Sequence, residues 1–591
     1  MTVTDPPKKK VFHLILIKPS HYDDDGYVIQ WKRSFMPSNT LSVLYGLVLD
    51  CAQRNVLGED VEIRVTAYDE TNTRIRVKQL ANQIHDAGGL GMVGLVGVQS
   101  NQYPRAVDLA REFVANGIQV CIGGFHVSGS LAMLPGVTHE LTEAMDAGIT
   151  LFAGEAEGSR FDELLREAYK GELKPLYNYM EDLPDLDGAP IPFLPASHIA
   201  RVSGNRTTFD AGRGCPFLCS FCTIINVQGR KSRNRSPDDV ERIIRANAEQ
   251  GINSFFITDD NFARNKDWEV IFDRLIYLRK EKRMKIHLFI QVDTMCHKIP
   301  GFIEKAQRAG VKRVFIGFES INPDALKSAR KGQNRITEYR ALFQAWHAVG
   351  ALTYAGYILG FPNDTPESIE RDIKIIQKEL PVDMLEFFIL TPLPGSQDHK
   401  ELFEAGVPMD QDFNNYDTEH VVTAHPRMSD EALKKIYHRA WDLYYSPEHV
   451  VTMMRRAVSW CGKPERIMRK AMIFYACIKL EEQHPLEGGL FRRKYRRDRR
   501  PGLPLENPLI FYAHYAGNMV VKYGRMLGII WRFRRALKQV ERESKLMPHD
   551  DIAMQPVIAD NLDQFDLYTA TEAARVAVDK VRRKEVRVHS A

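Results

Sequence analysis

After a short polar stretch the chain enters an apolar run interrupted only by His13, VFHLILI from Val11, that stops at Lys18-Pro19. A run this short, rich in β-branched residues and ended by a loop signal, predicts a buried strand. Comparable runs follow as VEIRVTAYD, MVGLVGVQS, GIQVCIGGFH and GITLFAGEAEG. Between them, RIRVKQLANQIHDAG and QYPRAVDLAREFVANG carry apolar residues at helical spacing and end at Gly. Strands alternating with helices predict an α/β domain over residues 11–175, built on a doubly wound, Rossmann- or flavodoxin-like parallel sheet.

A Pro-rich linker, residues 176–200 with MEDLPDLDGAPIPFLP, precedes a second alternating series over residues 201–426. Its strands read as TTFDAG, SFFITDD, KIHLFIQVD, RVFIGFES, TYAGYILGFP and MLEFFILTPLPG, with helices such as SPDDVERIIRANAEQG and IPGFIEKAQRAG between them. Six strands with crossover helices predict a closed or partial TIM-like βα barrel. From residue 427 to 591 the pattern is helical, with basic runs such as FRRKYRRDRRPG. The longest apolar region there, PLIFYAHYAGNMVVKYGRMLGIIW, is broken by His514, Lys522 and Arg525, so it reads as an amphipathic or buried helix rather than a membrane span.

At 591 residues, two or three such domains are expected. The 44% hydrophobic and 26% charged fractions exclude a collagen-like, wholly disordered or disulfide-framed chain. A net charge of +4 is too mild to imply nucleic acid as a partner. Eight cysteines, three of them bunched, suit a metal site in a reducing compartment, and the opening residues carry no export signal. The expected address is the cytoplasm.

The bunched thiols lie in GRGCPFLCSFC, with Cys215, Cys219 and Cys222 at CxxxCxxC spacing on the loop after the first barrel strand. Soft thiolates at such intervals wrap a soft metal centre. Three are one short of closing a four-iron cubane, and an open iron position lets a small molecule bind and react. A zinc site of three cysteines completed by a distant His is the alternative on spacing alone.

The motif and its position resemble the radical S-adenosylmethionine (SAM) superfamily. That resemblance implies a 4Fe-4S cluster on Cys215, Cys219 and Cys222, with SAM chelating the fourth iron and a 5′-deoxyadenosyl radical formed on reduction. It also implies SAM contacts at strand ends: Thr258, Asp259 and Asp260 in ITDDNF, Glu319 and Ser320 in IGFES, Gly360 and Pro362 in AGYILGFP, and Gln291 with Asp293. A helix-capping Asp, a barrel-rim salt bridge and a plain tight turn are the ordinary alternatives for these positions.

In front of the barrel, GIQVCIGGFHVSGS, FAGEAEG and PSNTLSVLYGL are similar to the cobalamin-binding domain of one large radical SAM class. Ser100, Gly123, Gly124, His126, Gly154 and Glu155 would then line the corrinoid or its nucleotide tail. No DxHxxG motif occurs in residues 1–180, which leaves the lower face of cobalt unassigned, and His126 reads more as a loop or tail contact than as an axial ligand. A flavodoxin-like domain that has lost its ligand is the alternative.

This class implies methylation of an unactivated carbon on a small or lipid-like substrate. Cobalamin-dependent radical cyclisation or rearrangement is the second reading, and a non-catalytic cobalamin or iron-sulfur sensor the third. An external electron donor of flavodoxin or ferredoxin type is the implied partner. FILTPLPGSQDHKELFEAG followed by NNYDTEHVV resembles the end of the barrel in that class and sets Tyr416, Asp417 and His420 near substrate, unless they cap a helix. Trp531 among Arg525, Arg532, Arg534 and Arg535 suits peripheral contact with the anionic inner face of a membrane.

Overall fold

A computed structural model describes residues 9–543, 551–556 and 559–589. The polar opening, residues 1–8, and three short pieces of the region read as helical lie outside the described residues. The front domain has six parallel strands: β1 Lys10–Lys18, β2 Val61–Asp69, β3 Gly91–Val96, β4 Gln119–Gly123, β5 Thr150–Ala153 and β6 Leu176–Asn178. They pair in the order β2-β1-β3-β4-β5-β6. Strands buried on both faces need apolar residues on both sides, which explains the continuous runs. Phe12, Leu14 and Leu16 of β1 pack with the helices Asn39–Gln53 and Ser159–Lys170. Ile15 and Ile17 enter the opposite core with Val77–Asp86 and Tyr103–Ala115. The sheet continues through β6, three residues into the segment read as linker.

The second sheet consists of β7 Arg206–Phe209, β8 Ser254–Ile257, β9 His287–Val292, β10 Val311–Glu319, β11 Leu352–Leu359 and β12 Met384–Ile389. All neighbours are parallel and follow chain order, and no pairing joins β12 back to β7 among the described residues, so the barrel is partial. Its outer face is covered by helices including Pro237–Glu249, which starts on a reciprocal cap between Ser236 and Asp239.

Five longer helices follow: Asp430–Tyr444, Pro447–Cys461, Pro464–Ala476, Pro508–Glu543 and Glu572–His589. Among the described residues no helix is long and apolar enough to cross a membrane. The C-terminal region also returns to the front domain. Gly489–Arg493 pairs antiparallel with Gln30–Ser34, and the ion pairs Arg492–Asp23 (2.6 Å) and Arg74–Asp498 (2.6 Å) fix the contact.

The front domain meets the barrel backbone to backbone. A Cβ on Gly129, in the helix Phe125–Met133, would stand 2.4 Å from the carbonyl oxygen of Pro394 and 3.0 Å from Cα of Gly395. Gly129→Ala is therefore expected to part the two domains locally and cost about 1–3 kcal/mol, read as a lower Tm. Gly517→Ala, on a helix with nothing within 4 Å, is the matched control and should hold or raise the Tm.

Candidate functional site

The loop from Arg213 to Gly229 carries the three cysteines. The amide of Cys215 donates to the carbonyl of Gly229 (3.2 Å), that of Cys222 to the carbonyl of Cys219 (3.2 Å), and Nε2 of Gln333 approaches Sγ of Cys219 at 3.4 Å. All three thiols are free, with Cys219 buried and the other two half-buried. Burial pushes the Cys215 thiol up to about 11 and the Cys222 thiol up to about 12, so a bound cation is needed to hold either as thiolate at neutral pH. Among the described residues no three His, Cys, Asp or Glu side chains converge on a single-ion position. A cubane gives each thiolate its own iron and does not require such convergence, so the donor set fits a cluster with one iron left for an outside ligand.

The strand-end carboxylates are engaged by the protein. Asp259 accepts from the amides of Ala211 (2.7 Å) and Gly212 (2.9 Å) and from Nδ2 of Asn265 (3.0 Å), holding the backbone that leads into the cysteine loop. Asp260 accepts from the amide of Gly214 (3.1 Å). Burial pushes both up to about 7. Thr258 bonds the carbonyl of Phe209, and Nε2 of Gln291 donates to the carbonyl of Asp259 (3.3 Å). Asp293 is filled by Asn261 (2.9 Å) and a two-point pair with Arg264 (2.6 and 2.9 Å). Glu319 ends β10 at φ 63°, left-handed for a non-glycine residue, and its buried carboxylate pairs with Lys331. Lys331 Nζ stands 5.5 Å from the Phe221 ring, so the pair ties β10 to the cysteine loop. Ser320 Oγ accepts from the amide of Asn322 (3.0 Å). Gly360 and Pro362 line a cavity of about 260 Å³ with Ser220, Ile389 and Leu433.

At the C-terminal ends of the front sheet lies a second, mostly apolar cavity of about 160 Å³. Leu14, Leu16, Met92, Cys121 and Phe152 form its floor, Asn39, Thr40, Val43 and Leu44 one side, and Gly123, Gly124, Gly154 and Glu155 its rim. Gly94, mid-strand, leaves room there, since a Cβ would crowd Leu16 at 3.2 Å. Gly124 has to be glycine, because at φ 153° its Cβ would lie 2.2 Å from the amide nitrogen of Val98. Ser100 and His126 do not line this cavity. His126 is fully buried, stacked on Tyr103 at 4.1 Å and edge-on to Phe413 at 4.6 Å, with Nδ1 3.2 Å from Ser100 Oγ. Burial lowers it to about 3, so this imidazole is neutral.

The wall shared by cavity and cysteine loop is a buried charge network that sequence reading did not foresee. Arg213, two residues before Cys215, gives NH1 to Glu155 (2.6 Å), NH2 to Glu157 (2.5 Å) and Nε to Asp210 (3.0 Å). Arg233 adds a second guanidinium on Glu155, and Arg235 is 3.6 Å from Asp210. The doubled Glu of GEAEG and the Arg of GRGC were visible signals, but their meeting depends on how the two sheets dock.

Tyr416, Asp417 and His420 mostly satisfy one another and their own loop. Tyr416 bonds the carbonyl of Asp410 (2.9 Å), and His420 sits between Asp417 (2.8 Å) and Asp24 (3.4 Å), which raise it to about 10. Inside the barrel, Glu386 on β12 was also missed. It is 2% exposed, its Oε2 has no partner, and burial alone raises it to about 8.

Residues 211–376 match the model of the Radical SAM superfamily, and they span β8 to β11 with the cysteine loop. The particular relatives are methyltransferases by name. The chain is 29% identical over 361 residues to the bacteriochlorophyllide d C-12(1)-methyltransferase of Chlorobaculum tepidum, covering 59% of this chain and 72% of that one. It is 27% identical over 356 residues to the C-8(2)-methyltransferase of the same organism, covering 58% and 74%. Among solved structures, the methyltransferase TsrM from Kitasatospora setae, with cobalamin and [4Fe-4S] cluster bound, shares the fold with a TM-score of 0.54 and 15% identity, over 78% of this chain and 99% of that one.

Two expectations follow from the geometry. Arg213→Met leaves three buried carboxylates without their common partner and should cost about 3–5 kcal/mol, seen as a large fall in Tm. Glu157 and Asp210 are held below their ordinary range against burial by these guanidiniums, so this stability is present above about pH 4 and is lost as pH falls further. Glu386 has the opposite sign. The native state keeps a proton that the unfolded chain releases near pH 4, so stability declines as pH rises from about 4 to about 8, by at most roughly 1.4 kcal/mol per pH unit. Glu386→Gln should flatten the Tm profile across that window; an unchanged slope would assign the decline to other groups.

Proposed function

We propose that the chain is a cobalamin-dependent radical SAM methyltransferase acting on an unactivated carbon of a small or lipid-like substrate. The observation that carries this reading is the shared wall. Arg213, Val227 and Gln228 of the cysteine loop line the same cavity as the glycine rim of the front sheet, so two cofactors bound there would face one another. The cavity volume suits the base of a nucleotide tail rather than a whole macrocycle, and open parallel sheets take nucleotide-like ligands at this end. The names of the relatives and the cofactors of the TsrM structure point the same way.

Cys215, Cys219 and Cys222 would hold the cluster, and Gly123, Gly124, Gly154 and Glu155 the cobalamin. When bound, cluster and SAM supply radical hydrogen abstraction and cobalamin a methyl group to transfer. The chain's own part is placement and exclusion of water. Asp259 fixes the entry to the cysteine loop, Glu319 with Lys331 clamps its far side, and the Arg213 network seals the domain boundary. Asp260 Oδ1 and the backbone around Gly360 remain the positions best suited to SAM among those read from sequence. A flavodoxin- or ferredoxin-type protein would deliver the electron.

We assign the protein to the cytoplasmic side of the membrane, touching it through Pro508–Glu543. Leu509, Tyr512, Val520, Leu527 and Trp531 are between 60% and 82% exposed on that helix, beside Arg525 and Arg535.

Anaerobic reconstitution with iron, sulfide and hydroxocobalamin tests the reading. About four irons and one cobalt per chain are expected after desalting. Replacing the three cysteines by Ala should abolish the iron but leave the cobalt. Reduced enzyme should then add one methyl unit labelled from SAM. A product without mass gain would favour cyclisation or rearrangement, and binding of both cofactors without any 5′-deoxyadenosine would favour a sensor.

A further inference from the structure

The inner face of the barrel is not fully packed, and one end of it carries unpaired cations. Along β10, Val314, Ile316 and Phe318 face the helices at 0% exposure, whereas the alternate positions Arg313, Phe315 and Gly317 stay half-buried. In a filled barrel both sets would be buried. A Cβ on Gly356 of β11 would meet the rings of Phe315 (3.1 Å) and Phe388 (3.3 Å), which marks the side chains that converge on the lumen. Phe256 stacks on Phe289 at 4.7 Å, and Phe289 contacts Tyr354 at 5.4 Å, completing an aromatic lining.

At the N-terminal ends of the strands, Arg206 enters from β7 and Arg313 from β10, with the Arg313 guanidinium 5.9 Å from the Phe289 ring. The helix Pro464–Ala476 packs over this end. Its Phe474 ring is 6.0 Å from Tyr354, and Lys470, one turn earlier on the same face, joins the two arginines. Arg206 is 8% exposed and its Nε has neither solvent nor a partner; Thr208 Oγ1, two residues along the same strand, is likewise orphaned. No carboxylate pairs with Arg206, Arg313 or Lys470 among the described residues. The charges that act on Arg206 and Lys470 are other cations, with the Tyr354 phenol beside Arg206, and each is held below its usual range mainly by burial. The lumen's buried carboxyl, Glu386, leaves its own Oε2 orphaned rather than reaching them. A buried cation such as Arg206, crowded by half-buried Arg313 and Lys470 and with no counter-ion, costs stability unless an anion joins it.

We propose that Arg206, Arg313 and Lys470 form an anion site that anchors the carboxylate or phosphate end of the substrate, whose apolar ring-bearing body lies along Phe256, Phe289 and Phe315 toward the cysteine loop. The proposal rests on reading the barrel as the reaction chamber and adds the substrate's class, an apolar acid. Glu386, protonated in that chamber, is placed to donate a hydrogen bond to the same body.

The test is calorimetric titration of the full chain, reconstituted with its cluster, with 4-phenylbutyrate, 4-phenylbutyl phosphate and 4-phenylbutan-1-ol. One or both anions should bind at least 10-fold more tightly than the alcohol, and the tighter of the two identifies the headgroup. Arg206→Gln and Arg313→Gln should each erase that preference by about 10-fold while keeping or raising the ligand-free Tm, because each relieves like-charge repulsion. Equal affinity for the alcohol, or an undiminished anion preference in both folded variants, would overturn the proposal. Binding does not require SAM cleavage, so a chain that holds the anions yet forms no 5′-deoxyadenosine would refute the radical reading alone.

Discussion

Arg213 is the hinge pin of the molecule. Its three nitrogens each take a different buried carboxylate, and those carboxylates come from the ends of two sheets: Glu155 and Glu157 from the loop after β5, Asp210 from just after the barrel's first strand. A guanidinium presents five donors in a fixed plane, so satisfying three acceptors in distinct directions sets orientation as well as distance. Lysine could neutralise one of them but could not aim at all three. Because Cys215 follows two residues later, the frame that docks the domains also sets where the thiols begin.

Other contacts reinforce the frame by removing atoms. Gly129 and Gly395 let helix and loop backbones touch, and Gly124 lets the turn after β4 close on Val98. The strand Gly489–Arg493, returning from beyond the barrel to pair with Gln30–Ser34, then prevents the front domain from swinging away. A boundary held by charge, close backbone approach and a shared sheet is rigid, as a chamber for reactive radicals requires.

Much of this was legible in the chain because it depends on local pattern. Short continuous apolar runs mark the strands of both sheets and period-3.6 hydrophobicity their helices, and CxxxCxxC marks the cysteine loop without any knowledge of the fold. The rim glycines 123, 124 and 154 were legible for the same reason, as turns at strand ends. What escaped depends on long-range docking. Arg213 meets Glu155 only after two sheets approach, Lys331 finds Glu319 across a short helix, and Lys470 reaches the barrel from the far helix Pro464–Ala476. Ser100 and His126 lie outside the lining of that cavity, since the helix that follows Gly124 turns the imidazole into an aromatic core, where it meets Ser100.

The two sets of buried arginines illustrate one electrostatic rule applied in opposite ways. Around Arg213 every charge is matched inside the protein, so the cost of desolvation is offset within the fold and the result is rigidity. Around Arg206 the cations are brought in from three elements and left unmatched, although Glu386 lies in the same lumen and a modest shift of sequence could have paired it with them. A protein that only needed a stable barrel would fill this space with apolar side chains, as barrels ordinarily do. Leaving positive charge there costs stability, and the cost is recovered only when an anion enters. The matched network holds the cysteine loop against the front sheet, and the unmatched one is left for the anion proposed to enter the barrel.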